Sequence, residues 1–228
     1  MRRATRLVVS ASATAPADAL ELTRHAQAAD VHDILLTPAF FHKAVDDDGL
    51  FRFYADHIER AAGAPLRLLL YHIPSVTGIG LGPDLIGRLA GAFPGVVIGV
   101  KDSGFDWAFT LGLVERFPEL QILTGEESHL PQALAAGGAG TICGMANFMV
   151  PLLRRLIDRE DPGQALLDRL VAAGRAIERA GSFHQGLRAL VADQTGEPGW
   201  LRCLPPMSPL PDDRRRALVS AFRRLTEV

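Results

Sequence analysis

In Val96-Val97-Ile98-Gly99-Val100-Lys101-Asp102-Ser103 an unbroken apolar run, 96–100, ends on the amine of Lys101. It does not alternate apolar and polar residues, so it fits a strand covered on both faces, as in a parallel sheet packed between helices. Five more short apolar runs share this character: 6–10, 33–37, 66–72, 120–124 and 140–144. Amphipathic stretches lie between them, at 17–29, 50–62, 83–92, 108–116 and 128–136. Pro83 and Asp84 suit a helix N-terminus, and Phe93-Pro94-Gly95 and Phe117-Pro118 mark helix ends before the next strand.

The spacing predicts six βα units in an α/β fold. An open doubly wound sheet and a β/α barrel both fit that alternation. No glycine-rich dinucleotide fingerprint follows an early strand. The polar residues with chemical character fall at the C-terminal ends of several strands, which favours the barrel. A full barrel takes eight strands, two more than the runs supply. After Pro151 the strand pattern stops, and 151–159, 163–192 and 212–226 read as helices, the last two joined by proline-rich 204–211. The expected organisation is an incomplete β/α barrel over 1–160 and a helical C-terminal extension over 161–228.

Bulk composition narrows the function. The chain is 48% hydrophobic and 22% charged with a net charge of −2, and no basic block invites nucleic acid or a membrane surface. No apolar run is long enough to cross a bilayer. Two cysteines, Cys143 and Cys203, are too few for a disulfide framework, so free thiols in a cytoplasmic chain are expected. Met1-Arg2-Arg3 ahead of Leu7-Val8-Val9 faintly imitates a secretory signal, but Ser10 and Ser12 interrupt it, and a strand is the expectation. The seven histidines show no metal spacing.

Lys43 and Lys101 are the only lysines among 24 basic residues. A chain that otherwise uses arginine keeps an amine at the end of the 96–101 strand. Burial disfavours the charged form of an amine, and a neutral amine can attack a ketone to form an imine. A snorkelling lysine that caps the strand explains the position equally well. Tyr71 ends the neighbouring strand, where parallel strands run about 5 Å apart. Its phenol could move protons at an iminium or simply fill the mouth of the sheet. His72 follows it, and alternation points that ring to the opposite face. Glu126 and Glu127 suit either substrate hydroxyls or the cap of the next helix.

Several motifs resemble those of the dihydrodipicolinate synthase and N-acetylneuraminate lyase superfamily. Tyr71-His72-Ile73-Pro74-Ser75-Val76-Thr77-Gly78 resembles its tyrosine motif, and Gly99-Val100-Lys101-Asp102-Ser103 its Schiff-base lysine motif. Thr124-Gly125-Glu126-Glu127 and Gly138–Asn147 resemble its seventh and eighth strand ends, and Gly49–Tyr54 and Trp200–Pro206 also match. The resemblance implies a (β/α)8 barrel with a helical C-terminal extension, assembled as a homodimer or homotetramer. It implies Lys101 as the imine-forming residue, Tyr71 as the proton relay, and Gly125 and the backbone near Ile142 in the substrate pocket. Thr37 and His42 complete the substrate-binding candidates. No metal or organic cofactor is implied, since the covalent imine through Lys101 carries the chemistry.

Three departures qualify that picture. The family begins with two further βα units, about 60 residues at roughly 30 per unit, and a Gly-Thr-Thr-Gly-Glu motif that binds the substrate carboxylate; neither is found here. A start site assigned too late and weak catalysis by this chain are the expectations. Val76 stands where true synthases carry a carboxylate-binding arginine. Phe40-Phe41-His42-Lys43 stands where synthases place two tyrosines; Phe41 cannot relay a proton, and His42 could, although a loop histidine with no catalytic part is the favoured reading. The expected function is a Schiff-base lyase, an aldolase or dehydratase acting on pyruvate or a 2-oxo sugar acid. The alternative is an inactive scaffold of the same fold. A phosphate-binding barrel is weaker, because Gly137-Gly138 precedes the last strand instead of following it.

Overall fold

The structure is a computed structural model that describes residues 5–158 and 164–226. Six strands form one parallel sheet in consecutive order: β1 Val8–Ser10, β2 Asp33–Leu36, β3 Arg67–His72, β4 Val97–Asp102, β5 Gln121–Thr124 and β6 Gly140–Thr141. The connecting helices are α1 Pro16–Ala28, α2 Asp47–Arg60, the single turn α3 Pro74–Thr77, α4 Pro83–Ala92, α5 Trp107–Arg116 and α6 Leu130–Ala136. Every expected strand is present. The 140–144 run pairs only at its first two residues, and its glycine-bounded remainder enters a 3-10 turn at Gly144–Asn147. Short α3 went unseen in the sequence, since four residues carry no periodicity.

Contacts divide the chain into two compact units. The first holds residues 1–125 and 133–141, and the second holds 126–132 and 142–228. The boundary expected at 160/161 lies outside the described residues, as does the Met1-Arg2-Arg3 segment.

In the first unit the core lies between the sheet and its helices. Ile34, Leu36, Leu68, Leu70, Val100 and Ile122 of the strands meet Leu20, Leu50, Tyr54, Ile58, Leu85, Ile86, Leu89 and Leu113 of the helices, all buried. Each fully buried aliphatic of this kind contributes roughly 1.5–3 kcal/mol. Because side chains alternate along a strand, Leu68, Leu70 and His72 share the helix-facing side. Leu69 and Tyr71 therefore take the other.

In the second unit α7 Val150–Ile157, α8 Gln164–Ala180, α9 Phe183–Thr195 and α10 Asp212–Thr226 supply the apolar interior. Leu153, Leu156, Leu170, Ile177, Leu190, Leu218 and Phe222 are buried. The single helix expected over 163–192 breaks at Gly181-Ser182, where Ser182 becomes the extended residue ahead of α9. Among the described residues no helix is long and apolar enough to cross a membrane.

Candidate active site

Register brings the two principal candidates together. β3 and β4 pair directly at Tyr71 and Lys101, with His72 opposite Asp102. Lys101 Nζ lies 2.8 Å from the Tyr71 hydroxyl and 4.0 Å from the centre of its ring. Both side chains are half-buried. They project from the C-terminal ends of adjacent strands onto the face away from the helices.

The next residue along each strand explains why the amine is left to the phenol. Asp102 could have neutralised Lys101, but alternation sends it to the helix side, where it is 2% exposed. There it accepts hydrogen bonds from the Thr110 hydroxyl at 2.6 Å and the Gly104 amide at 2.8 Å. Among the described residues no carboxylate pairs with Lys101. His72 also turns inward, as expected. Its ring stacks on Phe109 of α5 with centroids 4.5 Å apart, and its Nδ1 accepts from the Leu81 amide at 3.0 Å. Burial lowers its pKa, opposed by the nearby Asp102 carboxylate.

The other candidates are spread along the chain. Thr37 follows β2 and is buried; its amide donates to the Ser12 hydroxyl at 3.0 Å, and its own hydroxyl has no partner among the described residues. An unpaired buried hydroxyl of this kind costs stability. Gly125 follows β5, and its amide donates to the Asp102 carbonyl at 2.6 Å. A Cβ there would lie 2.2 Å from the Ser103 hydroxyl oxygen, so only glycine permits this approach. Ile142 directly follows β6 and belongs to the second unit. His42 is exposed on the loop after β2, edge-on to Phe41 at 5.2 Å, and Val76 on α3 is 69% exposed.

The glutamates divide their roles. Glu126 caps the 3-10 turn Glu127–His129 through Ser128. Glu127 accepts from the Met145 amide at 3.3 Å within the second unit, and burial raises its pKa. Sequence reasoning missed Asp102, because its partner Thr110 sits a full loop away on α5. Tyr54 of α2 is fully buried, with its hydroxyl 3.4 Å from the Leu36 carbonyl. Among the described residues no group of three or more His, Cys, Asp or Glu is placed to hold a metal ion.

Known proteins share this architecture. The pattern of the dihydrodipicolinate synthetase family matches residues 5–224. The chain is 28% identical over 227 residues to an uncharacterised DapA-like lyase of Chloroflexus aurantiacus, covering 96% of this chain and 73% of that protein. Dihydrodipicolinate synthase from Agrobacterium tumefaciens superposes with a TM-score of 0.89 at 32% identity, over 96% of this chain and 75% of that one. YagE, a prophage protein of the dihydrodipicolinic acid synthase family from Escherichia coli K12, was solved in complex with pyruvate. It superposes with a TM-score of 0.86 at 25% identity, over 98% of this chain and 76% of that one.

Proposed function

The chain belongs to the dihydrodipicolinate synthetase family, whose relatives are lyases and synthases, and from that premise we propose a Schiff-base-forming lyase that acts on pyruvate or a 2-oxo sugar acid. The 2.8 Å contact between Lys101 Nζ and the Tyr71 hydroxyl carries this reading. A free amine at a strand end, beside a proton carrier and away from any carboxylate, is what imine formation requires.

In this mechanism the neutral Lys101 amine attacks the C2 carbonyl carbon of the 2-oxo acid. Tyr71 relays the proton that leaves nitrogen to the former carbonyl oxygen, giving a carbinolamine. A second proton transfer expels that oxygen as water and leaves an iminium. The iminium accepts the electron pair released when a bond at C3 breaks, which gives an enamine. In the aldol direction the enamine C3 attacks an aldehyde and the same pair returns. Water then adds to the iminium and restores the lysine. The iminium is itself the electron sink, so the steps call for no organic cofactor. Thr37, with its unpaired hydroxyl, His42 and the Gly125 backbone are the proposed substrate contacts in the first unit. Val76 offers no cation for a second carboxylate, which argues against the synthase reaction itself.

The six parallel strands are read as part of a β/α barrel of the kind these relatives carry. A homodimer or homotetramer in the cytoplasm completes the proposal, and Cys143 and Cys203, as thiols not joined in a disulfide, suit that compartment. Borohydride added with pyruvate should fix on Lys101 the mass of pyruvic acid less one oxygen atom. A folded protein that gains no such mass would falsify the reading and favour an inactive scaffold.

A further inference from the structure

Lys43 holds together the two loops that leave the sheet beside the site. Its ammonium donates to the carbonyl of Phe40, on the loop after β2, and to the carbonyl of Thr77 at 2.6 Å, the last residue of α3. The charge also sits 5.7 Å from the centre of the Phe40 ring. A lysine has three N–H donors and no acceptor, so two carbonyls and an aromatic face employ the whole group. The carbonyl of Thr77 belongs to the set that a helix end leaves without intrahelical partners. Gly78 follows with φ +68°, and a Cβ there would lie 3.1 Å from Lys43 Cδ. The lysine stem thus lies across a residue that has no side chain.

The turn so held is also bonded within itself. Thr77 is 1% exposed, and its hydroxyl bonds the carbonyls of Ile73 and Ile79 at 3.0 and 2.8 Å. Ile73 is two residues beyond Tyr71. A pull or a release at Thr77 is therefore transmitted to the backbone that carries the phenol.

We infer that Lys43 is a positioning residue: it staples the loop after β2 to the α3 turn and so fixes Tyr71 against Lys101. The inference rests on the imine reading of Lys101. It also separates the two lysines, one consumed by structure and the other presented for reaction.

The test uses the full chain and pyruvate with cyanoborohydride, with adduct on Lys101 followed by mass. Lys43→Met keeps the stem and removes the donors. Misplacing a reacting group by about 1 Å costs up to roughly a hundredfold. Lys43→Met is therefore expected to slow adduct formation at saturating pyruvate by about tenfold to a hundredfold, with little change in the half-saturating concentration. Lys43→Arg, which can still donate to both carbonyls, should recover part of the rate. Wild-type kinetics in Lys43→Met overturn the staple. Amide hydrogen exchange over 38–45 and 73–79 reads the same staple without chemistry. Faster exchange in Lys43→Met supports it and unchanged exchange overturns it, even where wild type forms no adduct and the imine reading itself has failed.

Discussion

At the N-terminal ends of β1, β2 and β3 one carboxylate is held by two guanidinium groups; at the C-terminal ends of β3 and β4 one amine meets a phenol and no carboxylate. Asp33 is 2% exposed and takes both oxygens to Arg6, at 2.5 and 2.6 Å, and to Arg67, at 2.6 and 2.9 Å. Four charge-assisted bonds satisfy the buried carboxylate and tie three strands together. They also hold its pKa well below the usual carboxylate range. Among the described residues Lys101 has no such partner, only the Tyr71 hydroxyl. A fully paired charge is stable and inert, whereas a charge left half-paired keeps an orbital or a proton for a substrate. Barrel enzymes separate stability from chemistry in this way, at opposite ends of the strands.

The sharpest way to break the comparison is at the phenol. Tyr71→Phe removes one oxygen and keeps the ring under Lys101. General acid–base groups contribute about 10²–10⁴-fold, so adduct formation on Lys101 should slow by at least roughly a hundredfold. The melting temperature should stay within a few degrees, since only about 1 kcal/mol or less of packing changes. An unaltered trapping rate would make the tyrosine a filler and remove the chemical half of the contrast.

Asp33→Asn probes the other end. It leaves two guanidinium groups facing an amide that itself donates, and both arginines are about half exposed and can rehydrate. The cost should therefore be about 2 kcal/mol, below that of breaking a fully buried pair. Adduct formation per folded molecule should not change. The sign with pH follows from the depressed pKa. The Asp33 contribution is complete above the unfolded carboxylate value of about 3.9 and fades as pH falls below it. Denaturant titrations should show wild type and variant converging in acid; a gap that widens there contradicts the assignment.

How much of this was readable from the sequence depends on the distance between partners. Lys101 and Tyr71 were legible because each ends an apolar run and parallel neighbours align in register. The strand at 33–37 was found, yet Asp33 looked like an ordinary strand start. Its partners lie 27 and 34 residues away, and no local pattern announces an arginine on the next strand. Lys43 was noticed as one of two lysines and went unread, because backbone carbonyls leave no trace in side-chain identity. Thr37 stands among the substrate-binding candidates of the sequence, while its unpaired hydroxyl needed coordinates. Ile142 lay beyond what periodicity could place, in a glycine-rich stretch where the expected strand stops after two residues.

His72 offers the smallest effect and the finest distinction, because it puts a second acid-sensitive group at the chemical end of the sheet. Burial lowers its pKa, so the folded state favours the neutral ring whose Nδ1 accepts from Leu81. Like Asp33, a depressed group stabilises above its unfolded pKa and loses that contribution as pH falls through the folded one. For a histidine the loss begins below about 6.5, far above the carboxylate window. His72→Asn keeps an acceptor for Leu81 but loses the stack on Phe109, worth about 0.5–1.5 kcal/mol. The variant should thus be weaker by about 1 kcal/mol at neutral pH. Its stability should decline less between about pH 6.5 and 5 than that of wild type, the remaining slope coming from buried His57, whose pKa burial also lowers. Wild type and Asp33→Asn should decline in parallel across that interval, since Asp33 stays ionised throughout. If Asp33→Asn instead removes the decline near pH 6, the two ends are coupled through the sheet, and the division of stability from chemistry along its strands does not hold.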